Sequence, residues 1–562
     1  MSNARNEALY FVEHEKAFHL GFLPTEQSHV LTRTLEEDFA KSPADGVRTL
    51  QRVDREVLKM AKNVFAGKEF AALVDAIYNA LSNGKRVIFS GCGATGRLSI
   101  LLESLWRDAC ASGRLPAEYA DQLASIMTGG DFALVRSVEF FEDYHSFGRR
   151  QVKELGVKKE DVLVAITEGG ETSSVLGTAE QALEEGAKVF ILFNNPAELL
   201  AENLERSRKI IKDERVTVLD LCCGPMALAG STRMQATTSE QLVAGAALES
   251  AGCRLMNVEA PAYAENFEKV LEALEAPRSV ESIASCAAWE KEIYKARGLV
   301  TYFADDFLLD IFTDTTERSP TFMLPPFRKK EDVSSPLPWA FVKNPLYTTE
   351  EVWERAFKRP TRCLAWDGEL LKSMGAPEAV WKKPPLISRE DLFKIPVGKE
   401  LLEDRFSRKP NGALLVTRGD AGQEELRKAY SSLAASFESP KTLSCGGSNG
   451  DFPIPAPELA PTPLRLMEHM LLKLVFNTLS TSTMVLLGRV SGNWMSYVDC
   501  TNKKLLDRGT RLISELAGLD YTQSCILLFE GMEECAGNVK TGEERIPVVP
   551  MVLAKLKKEG KI

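Results

Sequence analysis

The sequence predicts a protein of two doubly wound α/β units, each a parallel sheet covered on both faces by helices. Three observations carry that reading. From Lys85 onward, short apolar strands alternate with helical patterns. A glycine cluster, Gly91-Cys-Gly-Ala-Thr-Gly96, joins the first strand to a helix without a spacer. A weaker echo of the same strand–turn–helix order begins near Gly298.

Residues 1 to about 80 read as helices, because Leu31, Leu35 and Phe39 and then Val53, Val57, Met60 and Val64 recur at helical spacing. Strands are predicted at 87–90, 161–166, 188–193 and 215–220, with helices between most of them. Ligands in such sheets bind at the C-terminal strand ends, which is where the glycine turn and Thr167-Glu-Gly-Gly-Glu-Thr172 both fall. Gly91, Gly93 and Gly96 let the backbone approach a ligand closely. Thr95 and the free N–H groups of the helix start favour an anion, with phosphate the natural candidate.

The same glycines match a dinucleotide fingerprint, which requires an acidic residue at the next strand end. Here 97–112 reads as one helix and the next acidic strand end is Asp131, so that reading is set aside. A purely structural turn is the bland alternative.

In the echo, a strand at 298–303 ends in Ala304-Asp-Asp306 where the first unit has glycines, and 412–417 supplies a later strand. Two aspartates at a helix start repel phosphate, so this copy is expected to be structural. The stretch 320–385, rich in proline and tryptophan, is expected as an insertion packed on the second unit. Residues 446–450 form a turn, not a P-loop. Residues 467–487 read as an apolar helix, and 505–516 carries the last amphipathic face before a lysine-rich tail.

Composition narrows the function class. A chain of 562 residues exceeds one core, and its net charge of −10 argues against a nucleic-acid surface. No signal peptide or membrane-length apolar run is legible, so a cytoplasmic protein without a membrane partner is expected. Eleven scattered cysteines and five histidines suggest neither a disulfide framework nor a metal site, and no cofactor is expected.

Three segments together carry a resemblance: Gly91-Cys-Gly-Ala-Thr-Gly-Arg97, Ile166-Thr-Glu-Gly-Gly-Glu-Thr-Ser173 and Gly224-Pro-Met-Ala-Leu-Ala-Gly-Ser-Thr-Arg-Met234, with Thr501-Asn-Lys-Lys-Leu505 downstream. The set resembles the sugar isomerase (SIS) domains of N-acetylmuramic acid 6-phosphate etherase and glucokinase regulatory protein, over roughly residues 20–275 and 465–515. The layout is closer to the regulatory protein, which implies tandem flavodoxin-like SIS domains. The expected division is a helical arm at 1–55, SIS domain 1 at 56–275, SIS domain 2 at 276–490 and a helical lid at 491–562. Paired copies within one chain are compatible with a monomer.

The resemblance implies a phosphosugar site at Gly93, Ala94, Thr95 and Gly96, at Thr167, Glu168, Gly169, Gly170 and Thr172, and at Ser231 and Lys504. Gly169 and Ala94 stand where hydroxyl side chains are usual, and Glu168 and Glu171 add negative charge beside the loop. Ser231 reads alternatively as a helix N-cap.

Glu142 matches the family base, with Glu139 one turn before it. The position of the etherase's second acid is Leu105. Glu103, two residues away, is rotated by roughly 200° and points elsewhere. The resemblance therefore implies a sugar 6-phosphate-binding regulator, with a sugar kinase among its implied partners. An etherase-like lyase or phosphosugar isomerase is the alternative.

Overall fold

A computed structural model describes residues 3–421, 423–536 and 542–562. Its first sheet contains β1 (Val87–Gly91), β2 (Leu123–Met127), β3 (Val162–Ile166), β4 (Lys188–Phe193) and β5 (Val216–Asp220), in the order β2-β1-β3-β4-β5. The second contains β6 (Leu299–Phe303), β7 (Ala340–Lys343), β8 (Asn411–Arg418), β9 (Ser439–Cys445) and β10 (Phe452–Ile454), in the order β10-β9-β8-β6-β7. All pairings are parallel. Counted from its own first strand, each sheet has the doubly wound order 2-1-3-4-5, with a switch point between its first and third strands.

β1 and β3 are buried along their whole length, which explains their near-continuous apolar sequence. β2 escapes a pattern reading because Leu-Ala-Ser-Ile-Met carries only one β-branched residue. Its burial by the helix Ala94–Ala111 decides its conformation. In register, Gly91 lies level with Met127 on one side and Ile166 on the other. The glycine turn therefore emerges beside the loop that follows β3.

The helices Gln235–Leu255 and Leu466–Leu486 pack on each other, and Leu308–Phe322 packs on both Leu466–Leu486 and Ala94–Ala111. Charges are buried along this seam. Arg233 donates to Asp314 at 2.9 Å, and Arg318 donates to Asp314 and Glu290, each at 2.9 Å. Thr483 also donates to Glu290, at 2.7 Å.

The stretch 320–385 differs from the expected insertion. It supplies β7 of the second sheet and then crosses to the first domain. There Arg359 donates to Glu103 at 3.0 Å and to both oxygens of Asp131 at 2.6 and 2.9 Å. Arg362 grips Glu103 at 2.7 and 2.9 Å, and Trp366 stacks on Phe141. Asp131, the acidic strand end considered for a ribose, is thereby committed to an arginine. The proline and aromatic content belongs to an ordered strap between domains.

The two ends of the chain also meet. Helix Asn3–His14 packs on Tyr521–Ala536 through Ala8, Phe11, Cys525 and Phe529. Glu26 accepts from Arg508 at 2.6 and 3.0 Å and from Arg511 at 2.6 Å. Burial raises its pKa, but the two guanidiniums outweigh that and hold it at about 2. Among the described residues, no helix is long and apolar enough to cross a membrane.

Glu103→Ala leaves Arg359 and Arg362 facing a vacated acceptor, and a buried pair broken this way costs about 3–5 kcal/mol. Urea denaturation should show a loss of that order. Burial raises the Glu103 carboxyl, but Arg359 and Arg362 prevail and hold it at about 2, from an ordinary 4.5. Its contribution is therefore complete above pH 4.5 and disappears as pH falls towards 2. The wild-type protein should lose stability across that window more steeply than the alanine variant.

Candidate functional site

The site is built from the ends of β1 and β3. A Cβ at Gly91 would lie 2.4 Å from the carbonyl carbon of Thr95, so only glycine permits so tight a turn. Gly93 has φ +57°, and the helix begins at Ala94. The Thr95 hydroxyl donates to the Cys92 carbonyl at 2.9 Å and accepts from the Cys92 N–H at 3.0 Å. Thr95 thus fixes the turn from inside, with Gly96 pressed against Met127 and the Gly91 carbonyl.

The second loop is closed by Gly170, at φ +77°, whose N–H donates to the Thr167 carbonyl at 3.0 Å. Thr167 donates to the Thr172 hydroxyl at 3.1 Å. Thr172 precedes the helix Ser173–Glu184 without spending its side chain on a cap. Gly169 accepts at its carbonyl from Asn195, at 3.0 Å.

Lys504 comes from the first turn of the helix Lys503–Ala517, whose N-cap Asn502 accepts from the Leu505 N–H. Its ammonium donates to Glu171 at 3.0 Å, and Arg206 donates to the other Glu171 oxygen at 3.2 Å. Burial raises the Glu171 pKa, but Lys504 and Arg206 outweigh it and hold the carboxyl below its usual value. Burial likewise disfavours charge on Lys504, but Glu171, Glu142 and Glu26 keep it protonated.

Asn502 also donates to Glu142, at 2.8 Å, and the Cys92 thiol lies 3.9 Å from the other Glu142 oxygen. Glu142 is thus placed between the glycine turn and the lid. The side chain of Glu139 lies outside the described residues.

Glu168 behaves differently from Glu171. It accepts from Thr237 at 3.2 Å, and burial pushes its pKa up to about 7, aided by Glu317 and opposed by Lys504 and Lys473. Thr237, Asn502 and Glu317 are site neighbours that sequence reasoning missed, as is Asp143, whose carboxyl burial and Glu171 push to about 6. Thr237 lies in the first turn of the buried helix Gln235–Leu255, and Glu317 belongs to the other domain. A motif search on the first unit has no signal for either.

Ser231 is not an N-cap, since the helix starts four residues later at Gln235. Its hydroxyl is buried and has no hydrogen-bond partner among the described residues. Arg233 turns away from the loops towards Asp314 and Thr481. A cavity of about 20 Å³ lies beyond, lined by Ala94, Arg233, Thr237, Asp314, Glu317 and Lys473, enough for about one water. Glu317 pairs with Arg97 and lies within 3.8 Å of where a Cβ on Gly93 would stand. Leu105 is 6% exposed and belongs to the apolar core. Glu103 is bound by Ser125, Arg359 and Arg362.

The structure therefore links the glycine turn to Glu142 and Asn502 through Cys92, and the threonine loop to Lys504 through Glu171. Backbone N–H groups, hydroxyls and one ammonium can hold an oxyanion there without a metal. The price in charge is reduced because Glu171 is neutralised by two cations and Glu168 holds a proton up to about pH 7.

Comparison with known proteins agrees with the motifs. Residues 69–183 match the family model described as the glucokinase regulatory protein N-terminal SIS domain. N-acetylmuramic acid 6-phosphate etherase 1 of Bacillus licheniformis is 28% identical over 229 residues, covering 40% of this chain and 67% of the relative. N-acetylmuramic acid 6-phosphate etherase of Aliivibrio fischeri is 34% identical over 198 residues, covering 35% of this chain and 60% of the relative. The chain thus spans between 60% and 67% of the length of these two relatives. Among solved structures, tagatose-6-phosphate ketose/aldose isomerase of Escherichia coli aligns over 80% of this chain and 94% of its own at 9% identity, with a TM-score of 0.43.

Because the Glu168 carboxyl titrates higher in the folded chain than its ordinary 4.5, its protonated form is favoured by folding. That contribution is complete below pH 4.5 and disappears as pH rises through about 7. Glu168→Gln should lack this share of the pH dependence. Urea midpoints measured from pH 5 to 8 should fall less in the variant than in the wild type, and parallel curves would contradict the assignment.

Proposed function

We propose that the first domain binds a sugar 6-phosphate and that the chain is a regulator-like binding protein, with a sugar kinase as its protein partner. The observation that carries this reading is the convergence of Lys504 on the threonine loop, together with Leu105 in the core where the related etherases place an acid. Elimination of lactate from N-acetylmuramic acid 6-phosphate needs both a base and an acid for the departing oxygen. Glu142 is available as the base. Glu103, the nearest carboxylate in sequence to Leu105, is ionised and enclosed by Arg359, Arg362 and Ser125.

In the proposed complex, the phosphate sits between the glycine turn and the threonine loop. It accepts from the backbone N–H groups of the two loops and from Lys504, which exchanges Glu171 for the ligand. Arg206 remains with Glu171 and keeps that carboxylate from being left unpaired in the interior. The sugar hydroxyls face the carboxylates Glu142 and Glu168. The equal strand order of the two sheets supports the reading of two SIS copies in one chain, which supply the pairing within a monomer.

A lyase or isomerase is the second reading, favoured by the 34% identity to a protein named as an etherase and by the placement of Glu142 against Cys92 and Asn502. Incubation with N-acetylmuramic acid 6-phosphate separates the two. Absence of lactate release is expected, and release at enzymatic rates would install the second reading.

Binding itself is tested by melting shifts with glucose 6-phosphate, fructose 6-phosphate and N-acetylglucosamine 6-phosphate. At a hundredfold excess over the dissociation constant a ligand stabilises the fold by about 2.7 kcal/mol. Lys504→Met should weaken binding at least tenfold, since it removes a charge-assisted hydrogen bond of about 1.5–3 kcal/mol. Thr172→Val should weaken it less, because the loop amides remain.

A further inference from the structure

Two adjacent residues of the N-terminal arm hold two different parts of the first-domain site. Thr25 and Glu26 belong to the short 3₁₀ turn Pro24–Glu26 and are 1% and 2% exposed. The Thr25 N–H donates to the Asn195 side-chain carbonyl at 3.2 Å, and the Asn195 amide donates to the Thr25 hydroxyl at 3.0 Å. The same amide donates to the Gly169 carbonyl of the threonine loop. Asn195 is wholly buried, so each of these acceptors matters to it: a donor deprived of its partner there has no water in exchange.

Glu26 holds the lid. Its carboxylate accepts from Arg508 and Arg511, and its backbone carbonyl accepts from Arg511 at 3.1 Å. Both arginines lie on the helix Lys503–Ala517, four and seven residues after Lys504, so all three project from one face of that helix. Lys504 in turn reaches Glu171, two residues after Gly169 in the threonine loop. The polar contacts therefore form a closed ring, running from the loop through Asn195, Thr25, Glu26 and the lid arginines to Lys504 and back to the loop. A ring of this kind fixes the lysine relative to the loop more narrowly than the single contact with Glu171 would.

We propose that Thr25 and Glu26 are positioning residues of the sugar-phosphate site, which set the lid lysine against the threonine loop without touching the ligand. This role rests on the reading of that loop and lysine as a phosphate site. It makes the arm the regulatory element of the site, because a partner that draws residues 24–26 away takes Lys504 with it and releases the ligand.

Calorimetry on the full chain with glucose 6-phosphate, fructose 6-phosphate and N-acetylglucosamine 6-phosphate reads this role as a coupling. Thr25→Val keeps the side-chain shape and the backbone N–H but removes the hydroxyl that accepts from Asn195, whereas Thr25→Ser retains it. Binding should weaken about fivefold in Thr25→Val and stay within about twofold of wild type in Thr25→Ser, since only the first leaves the buried amide short of an acceptor. Lys504→Met should cost about tenfold in the wild-type background and less than about threefold in Thr25→Val, because a displaced lysine has little left to lose. A tie that served stability alone would leave the Lys504→Met factor the same in both backgrounds. Arg511→Gln leaves Arg508 on Glu26, should reduce that factor in the same direction, and carries the test if Thr25→Val does not fold. Without ligand, hydrogen exchange in Thr25→Val should quicken at both 167–172 and 503–511 while the helix Gln235–Leu255 is unchanged. An undiminished Lys504→Met factor in either variant, or exchange that quickens at only one of the two segments, overturns the positioning role alone. Binding of none of the three phosphates by the wild type overturns the sugar-phosphate reading itself, and this role with it.

Discussion

The arrangement of the two domains depends on ion pairs buried between them. Arg233 of the first domain meets Asp314 of the second, which also holds Arg318, and Arg318 in turn holds Glu290. Glu290 accepts from Tyr294 and Thr483, each at 2.7 Å. Charges this deep are costly when unpaired, so these ion pairs favour a docking of the domains that brings their partners together. A second cluster, Glu103 and Asp131 with Arg359 and Arg362, pins the strap from the second domain onto the first. Together they fix where Glu317 stands relative to the glycine turn.

The same logic explains why carboxylates can cluster at the strand ends of the first domain. Glu171 faces Lys504 and Arg206, and Glu317 faces Arg97. Glu168 lacks a direct cation and keeps its proton to about pH 7. The interior is thus close to neutral despite its acidic composition. Lys504 and Arg206 share Glu171, one on each oxygen, so that carboxylate has a second cation independent of Lys504.

The strand ends of the two domains show how one topology carries different chemistry. In the first, glycines and threonines present backbone and hydroxyl donors. In the second, Asp305 and Asp306 precede the helix Leu308–Phe322, and Arg418 is paired with Asp306 and Glu468. The helix Leu466–Leu486, which carries Glu468, also carries Lys473 at the interdomain cavity, so a single rigid element touches both regions.

The local pattern of residues was enough for the parallel α/β class, the glycine turn after β1, the threonine loop after β3 and the helices that close the chain, because periodicity and glycine placement act over a few residues. β2 and β7 were illegible, since Ala, Ser and Lys in short strands give no pattern and their burial comes from distant partners. The strap at 359–366 looked like a proline-rich insertion until its arginines met Glu103 and Asp131, more than 220 residues away in the chain. The sequence by itself determined β1, β3, β4, β5, β6 and β8, the turns after β1 and β3, and which residue types stand at those strand ends. Only the tertiary structure decided that Thr95 bonds its own turn and that Lys504 reaches Glu171. The physical reason is that pairing of buried charge depends on distances across the fold, which chain spacing does not encode.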